Sequence, residues 1–233
     1  RALGFAAAKQ PGDNEMSDPA IDPFTSLLSR KGVEKRLAAE MKSAALSGRV
    51  LSLIFLDIDF FSRVNELYGH ATGDAVILAV RDVIRAHVPA GEHVGRFGGE
   101  EYAIVLPGRE REEAFLLAER IRAEVAEKVC SVIPDHAVLT ISGGVSAFPS
   151  DALDDAEVVR MTDQALYRAK STGRNKVCIA QAEKMVVKTA HYPVTQLARL
   201  SQLAKERDVG EATLLREGLD DLLIKYKVSD IES

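Results

Sequence analysis

The sequence contains no tryptophan, two cysteines and no apolar run that approaches the about 18 residues of a membrane span. Cys130 and Cys178 stand in separate apolar stretches without metal-ligand spacing, so we expect two reduced thiols in a cytoplasmic protein. Residues 1–10 are too short and too mixed for a signal peptide, and we predict no association with a membrane. Basic residues are not in excess, and the net charge of −5 argues against a protein that coats nucleic acid.

Apolar residues, in contrast, make up 46% of the 233 residues, enough to bury a core. The length favours one domain of about 150–180 residues and a small appendage. Residues 1–21 carry Gly, Pro, Asp, Asn and Ser without periodicity, which predicts a linker or tail. We assign residues 22–182 to the main domain. The pattern of apolar and polar residues changes after Ala182, and residues 183–233 are assigned to a second unit.

The spacing of apolar residues predicts a mixed α/β main domain. Helical periodicity predicts four helices, over 25–47, 73–88, 111–128 and 155–171. Continuous or alternating apolar segments predict strands at 50–56, 93–106, 137–147 and 176–180, with a hairpin turn at Gly98-Gly99. These elements add up to a core of about five strands with helices packed on it.

Two pairs of acidic residues follow the predicted strands. Asp57 and Asp59 end the first strand, where one can face a cleft and the other can cap the following turn. Glu100 and Glu101 lie at the hairpin tip, and if the hairpin lies beside the first strand, Asp57 and Glu100 converge. Two carboxylates and a backbone carbonyl would form a Mg²⁺ site with positions open to triphosphate oxygens. An isolated Gly-Gly-Glu-Glu would more often be a solvated acidic hairpin.

Several further motifs accompany the acidic pairs in a fixed order. They are Asp57-Ile58-Asp59-Phe60-Phe61, Asn65, Tyr68-Gly69-His70, Gly73-Asp74, Arg96-Phe97-Gly98-Gly99-Glu100-Glu101-Tyr102, Asp163 to Lys170, and Gly173-Arg174-Asn175. From about Asp22 to Val177 the chain resembles a GGDEF domain, with the variant signature GGEEY. The resemblance implies a diguanylate cyclase, which condenses two GTP into cyclic di-GMP and pyrophosphate. It also implies a palm-like nucleotide cyclase fold with a central, mostly antiparallel five-stranded sheet and flanking helices.

The resemblance also implies a role for each matching residue at the metal. Asp57, Glu100 and the carbonyl of Ile58 would bind Mg²⁺ (or Mn²⁺), and Glu101 would support the metal site or the proton transfer. The mechanism would be two-metal phosphoryl transfer.

The remaining matches concern GTP. Asn65 and Asp74 would read guanine, although Asn65 can also cap a turn and Asp74 the next helix. Lys170 and Arg174, four residues apart at a helix end, would hold the terminal phosphates. The backbone N–H groups of Phe60 and Phe61 would help to cradle phosphate, while their side chains are expected to pack.

Two departures from the family pattern affect function. Ser62 stands where the family has a phosphate-contacting lysine, which leaves open a catalytically weak receptor of GTP or cyclic di-GMP. Pro89-Ala90-Gly91-Glu92 replaces the Arg-x-x-Asp of the product-inhibition site, so we predict no feedback inhibition by that route.

The C-terminal unit reads as a strand (186–192) and two helices (194–207 and 211–225), and it resembles a ribbon-helix-helix domain. The resemblance implies a homodimer, with Val187, Thr189 and His191 on the outward face of a strand that can enter the DNA major groove. Acids and bases are balanced from Glu183 onward, so dimerisation is favoured over DNA binding. Alternatively, the two helices pack back on the main domain.

Overall fold

The computed structural model describes residues 20–181, 190–207 and 210–226. The chain divides into two compact units, the first ending at Glu183 and the second beginning at Lys184. The first unit contains five strands: β1 (Leu51–Ile58), β2 (His93–Arg96), β3 (Glu101–Pro107), β4 (Ile141–Phe148) and β5 (Val177–Ile179). Its helices are α1 (Arg30–Ser47), α2 (Phe61–Tyr68), α3 (His70–His87), α4 (Arg111–Lys128) and α5 (Asp155–Ser171).

The strands form one sheet in the order β2-β3-β1-β4-β5. Every pairing is antiparallel except that of β4 with β5, which is parallel. The predicted mixed α/β fold with a mostly antiparallel five-stranded sheet is therefore confirmed. The central position of β1 explains its continuous apolar run, since all of its side chains are buried between two helical layers.

The alternation of side chains along β1 divides the core into two layers. Leu51, Leu53 and Phe55 belong to the cluster that includes residues of α1 and α5, whereas Ile54 and Leu56 belong to the cluster that includes residues of α3 and α4. Asp57 continues the first series, so β1 presents its carboxylate on the α5 side of the sheet.

The helices differ from the sequence prediction at the start of α1 and around α3, which spans His70–His87 instead of 73–88. Helix α1 begins at Arg30 rather than residue 25, because the Ser29 hydroxyl caps it by accepting from Gly32 N at 3.2 Å. A separate helix, α2, precedes α3, and Gly69 (φ +82°) joins the two. The left-handed conformation at this junction favours glycine and breaks the helical path.

The second unit contains α6 (Val194–Arg207) and α7 (Glu211–Lys225), with the predicted bounds. Most of the predicted strand 186–192, including Val187 and Thr189, lies outside the described residues. Residues 190–192 are described and form no strand, and His191 is exposed. Among the described residues, no helix combines the length and apolar character needed to cross a membrane.

Candidate active site

The acidic ends of β1 and the hairpin meet, as the sequence predicted. Strands β1 and β3 pair antiparallel with Asp57 opposite Glu101, and Ile58 N donates to the Glu100 carbonyl at 3.3 Å. Asp57 is almost fully buried, while Glu100 and Glu101 are partly exposed. The arrangement places three carboxylates at one end of the central strands, open to solvent on the hairpin side.

The hairpin tip is held in a defined shape. Arg96 Nη2 donates to the Gly99 carbonyl at 2.7 Å, and Phe97 N donates to the Glu101 carbonyl at 2.8 Å. A Cβ on Gly98 would lie 2.2 Å from Glu101 Oε2, so the Glu101 carboxylate in its present position occupies the space that a side chain at residue 98 would need. A Cβ on Gly99 would meet no atom within 4 Å, which leaves this side of the tip open.

Burial and mutual repulsion perturb the carboxylates. Burial raises the pKa of Asp57 above its ordinary 3.8, with Glu101 and Asp59 adding to the effect and Lys170 opposing it. Burial also raises the pKa of Glu100 above 4.5, and the neighbouring Asp57 charge raises it further. Both carboxylates would be more stable with additional positive charge beside them.

This donor set fits a hard divalent cation. Asp57 and Glu100 offer carboxylate oxygens, and Ile58, which has an apolar side chain, can contribute only its backbone carbonyl. Within the described ranges, no group of three or more His, Cys, Asp or Glu side chains is arranged to hold a metal ion. An ion here would therefore need oxygens from substrate or water as well, as Mg²⁺ commonly does.

Lys170 reaches the same carboxylates from α5. Its Nζ lies 2.7 Å from Asp57 Oδ2, and its side chain is 32% exposed. Helix α5 ends at Ser171, so Lys170 lies in its last turn. The Lys170 ammonium group therefore lies between the acidic cluster and solvent, where it can contact either Asp57 or an anion from solvent.

Arg174 and Phe60 form a second contact near the acidic cluster. The Arg174 guanidinium lies 4.4 Å from the centre of the Phe60 ring. Arg174 lies in the turn after α5, with φ +61°, so the prediction that it shares a helix end with Lys170 is wrong. Phe61 is buried as predicted, but Phe60 is 60% exposed and stacks on the arginine instead of packing in the core.

Asn65 and Asp74 are brought together by the junction of α2 and α3. A Cβ on Gly73 would lie 2.0 Å from Asn65 Oδ1, so the Asn65 side chain packs against the backbone next to Asp74. Gly69 N donates to the Asn65 carbonyl at 2.9 Å and closes the turn between the helices. Asp74 is exposed, and its carboxylate makes no hydrogen bond or ion pair with any residue that the structure describes.

Asp59 was not identified as a site residue from the sequence. Instead of capping the turn after β1, its carboxylate accepts from Ser142 Oγ and Thr140 Oγ1, each at 2.7 Å, and from Asn175 N at 3.1 Å. These partners lie more than 80 residues away in the chain. The polar residues at the start of β4 were the available signal, since a buried carboxylate needs such donors.

Pro89 and Glu92 line a cavity of about 220 Å³, which is also bordered by Arg109, Arg120 and Leu117. The Glu92 carboxylate is 9% exposed and accepts from Arg109 Nε at 3.0 Å. Glu92 is therefore paired with an arginine from the far end of β3.

Comparison with known proteins agrees with this geometry. A family model described as "Diguanylate cyclase, GGDEF domain" matches residues 19–176. The chain belongs to the GGDEF family. The GGDEF domain of DgcB from Caulobacter crescentus, solved with cyclic di-GMP, superposes with a TM-score of 0.65 at 33% identity over 71% of this chain and 98% of that one. An active GGEEF domain of a diguanylate cyclase from Vibrio cholerae gives a TM-score of 0.64 at 34% identity, over 67% and 99%.

The full-length relatives are larger. Diguanylate cyclase DgcP of Pseudomonas aeruginosa is 36% identical over 168 residues, which cover 72% of this chain and 25% of the relative. The chain therefore spans about a quarter of that relative's length. The GGDEF match ends at Lys176, so α6 and α7 lie outside the matched family region.

Proposed function

We propose that this chain is a diguanylate cyclase that joins two GTP into cyclic di-GMP as a homodimer. The observation that carries the proposal is the convergence of Asp57, Glu100 and Glu101 at one end of the sheet, beside Lys170. The GGDEF membership and the likeness to a GGEEF domain described as active support the same reaction.

The carboxylates are proposed to hold the metal and to receive protons. Asp57, Glu100 and the Ile58 carbonyl would bind Mg²⁺, and Glu101 would support this site or accept the proton of the attacking hydroxyl. Bound Mg²⁺ would supply positive charge against the triphosphate and lower the pKa of the ribose 3′-hydroxyl. The 3′-oxygen of one GTP would then bond to the α-phosphorus of the other as the bond to pyrophosphate breaks, and the same transfer in the opposite direction would close the ring and release a second pyrophosphate.

The remaining residues are proposed to bind and orient GTP. Asp74 can accept from guanine N1–H and N2–H₂, and the Asn65 amide can donate to guanine O6 or N3. Lys170 and Arg174 would contact the terminal phosphates, with the N–H groups of Phe60 and Phe61 nearby. Each protomer binds one GTP in this scheme, so two sites must face each other for reaction.

The second unit is proposed to supply the dimer. Helices α6 and α7 leave several leucines at least 40% exposed in a single protomer, among them Leu197, Leu215, Leu219 and Leu222. A second copy would cover this apolar surface. The DNA-binding alternative rests on Val187, Thr189 and His191, and we favour dimerisation because the unit has no excess of basic residues.

Turnover of GTP tests the proposal directly. Purified protein with GTP and Mg²⁺ should release pyrophosphate and form cyclic di-GMP, and Glu100→Gln should form neither. Absence of product from a verified dimer would contradict the proposal and favour a nucleotide receptor, a reading that Ser62 in place of the family lysine would then support.

A further inference from the structure

Asp59 is a buried carboxylate that the proposed chemistry does not use. It is 3% exposed, and the two hydroxyls and one backbone N–H that donate to its carboxylate belong to two different parts of the chain. Oδ1 accepts from Ser142 Oγ at 2.7 Å, and Oδ2 accepts from both Thr140 Oγ1 at 2.7 Å and Asn175 N at 3.1 Å. The carboxylate thus connects the end of β1, the start of β4 and the turn that follows α5.

This turn has an unusual backbone. Gly173, Arg174 and Asn175 have φ values of +110°, +61° and +46°, and two of these residues carry side chains. Non-glycine residues adopt such values at an energetic cost, and they keep them where surrounding contacts hold them. Asp59 holds the Asn175 N–H, and Arg122 Nη1 holds Asn175 Oδ1 at 2.7 Å.

The two residues of the Arg174–Phe60 stack both adjoin this network. Phe60 follows Asp59 in the chain and also has a left-handed backbone, with φ +56°. Arg174 precedes Asn175, and its guanidinium lies 4.4 Å from the Phe60 ring centre. Asp59 therefore fixes Phe60 because the two residues are adjacent in the chain. It fixes Arg174 through the hydrogen bond that the adjacent Asn175 N–H donates to it.

We propose that Asp59 is a positioning residue that places Arg174 over Phe60 and so sets the contribution of the terminal phosphates to GTP binding. The inference rests on the proposed function, in which Arg174 contacts those phosphates. It assigns Asp59 no contact with substrate. Its loss should weaken the binding of nucleotides with terminal phosphates and spare those without them.

Binding measurements on the full chain test this inference. We would measure dissociation constants for 3′-deoxy-GTP, which lacks the attacking hydroxyl, and for GMP, with Mg²⁺ present. Wild type should bind 3′-deoxy-GTP more tightly than GMP. Asp59→Ala should reduce the ratio of the two dissociation constants about tenfold and leave the dissociation constant for GMP unchanged. Ser146→Ala is the matched control, since the Ser146 hydroxyl is buried on the same strand as Ser142 but pairs with Val158 and Thr162 instead of Asp59.

Asp59→Asn should retain the preference. Its amide oxygen can face Thr140 and Asn175, and its NH₂ can face the Ser142 hydroxyl, which can accept a hydrogen bond. If Asp59→Ala is not folded by circular dichroism, Asp59→Ser replaces it. Serine can stay among the Thr140 and Ser142 hydroxyls, but its side chain is too short to hold Asn175 N.

A double variant separates the possible outcomes. Because Asp59 acts through Arg174, Asp59→Ala combined with Arg174→Ala should lower the preference no further than Arg174→Ala alone. A wild-type preference that survives in Asp59→Ala, or an equal weakening of both nucleotides, would overturn the positioning role. A wild type without any preference for the triphosphate would instead count against the phosphate role of Arg174 in the proposed function.

Discussion

Lys170 Nζ lies 2.7 Å from Asp57 Oδ2, so α5 places a cation at the carboxylate proposed to bind Mg²⁺. The lysine partly offsets the charge of a buried acid whose pKa burial raises. Its position at the end of a helix, one-third exposed, allows it to turn toward a phosphate when nucleotide and metal arrive. The side chain that offsets the Asp57 charge is therefore also the one proposed to contact the terminal phosphates.

Replacing this lysine should impair substrate binding and turnover together. Lys170→Met keeps the length and removes the charge, and we expect kcat/KM for GTP to fall by about 10²-fold in steady-state pyrophosphate release. Lys176→Met is the matched control, because Lys176 Nζ donates to the Thr172 carbonyl and not to a site carboxylate. A Lys170→Met enzyme with wild-type KM and kcat would contradict the assignment.

The raised pKa of Glu100 gives a stability prediction for the metal-free protein. A carboxyl with a raised pKa in the folded state stabilises the fold below its ordinary pKa of 4.5, and this contribution is lost as pH rises through the folded-state value. With EDTA, Glu100→Gln should therefore have a higher Tm than wild type at pH 7.5, and the difference should shrink as the pH falls toward 4.5.

Magnesium should reverse this order. Added Mg²⁺ should raise the Tm of wild type at pH 7.5 and leave Glu100→Gln almost unchanged, since the variant loses a proposed ligand. Glu66→Gln, at an exposed position on α2, is the control and should behave as wild type in both conditions. Equal stabilisation of wild type and Glu100→Gln by Mg²⁺ would remove Glu100 from the metal site.

The meeting of Asp57 and Glu100 could be predicted from sequence because local patterns determine it. The apolar run of β1 requires a buried central strand, and Gly98-Gly99 requires a tight turn, so one antiparallel pairing brings the acids together. Helices α4 and α5 were predicted with their observed bounds for a similar reason, since the helical spacing of their apolar residues is also a local pattern.

The role of Asp59 and the setting of Arg174 could not be predicted in this way. The Asp59 partners Thr140 and Asn175 lie 81 and 116 residues away, and no local pattern specifies such contacts. Arg174 was expected to follow Lys170 on the helix, but α5 ends at Ser171 and the chain turns through Gly173. Tertiary contacts decide the conformation of this turn, so helical spacing gave the wrong answer.

Feedback inhibition should be absent in wild type and should be gained by restoring the missing arginine. Glu92 is paired with Arg109, and Pro89 stands where the family motif has arginine. We expect added cyclic di-GMP to leave the initial rate of wild type unchanged. Pro89→Arg with Glu92→Asp rebuilds Arg-x-x-Asp and should give inhibition in the same assay.

Pro89→Ala with Glu92→Asp is the control, because it alters the same two positions without adding the guanidinium. It should remain insensitive to product. Inhibition of wild type by cyclic di-GMP would contradict the prediction and would direct attention to Arg109 and Arg120, which border the same cavity.

The exposed leucines of α7 should be required for activity if the second unit supplies the dimer. Leu215, Leu219 and Leu222 recur at helical spacing and are 41%, 54% and 49% exposed. Leu219→Glu would place a charge in the middle of this surface, and we expect a monomer by light scattering. GTP binding should persist, while formation of cyclic di-GMP should fall by about tenfold or more.

Leu46→Glu provides the matched control, since Leu46 lies on α1 of the first unit and is 82% exposed. It should remain dimeric with wild-type turnover. A Leu219→Glu protein that stays dimeric would show that α7 does not form the interface, and a monomer with wild-type turnover would show that reaction does not depend on it. Monomer formation with retained GTP binding is the one result that separates assembly from substrate recognition, because each site would then be complete but unable to meet a second GTP.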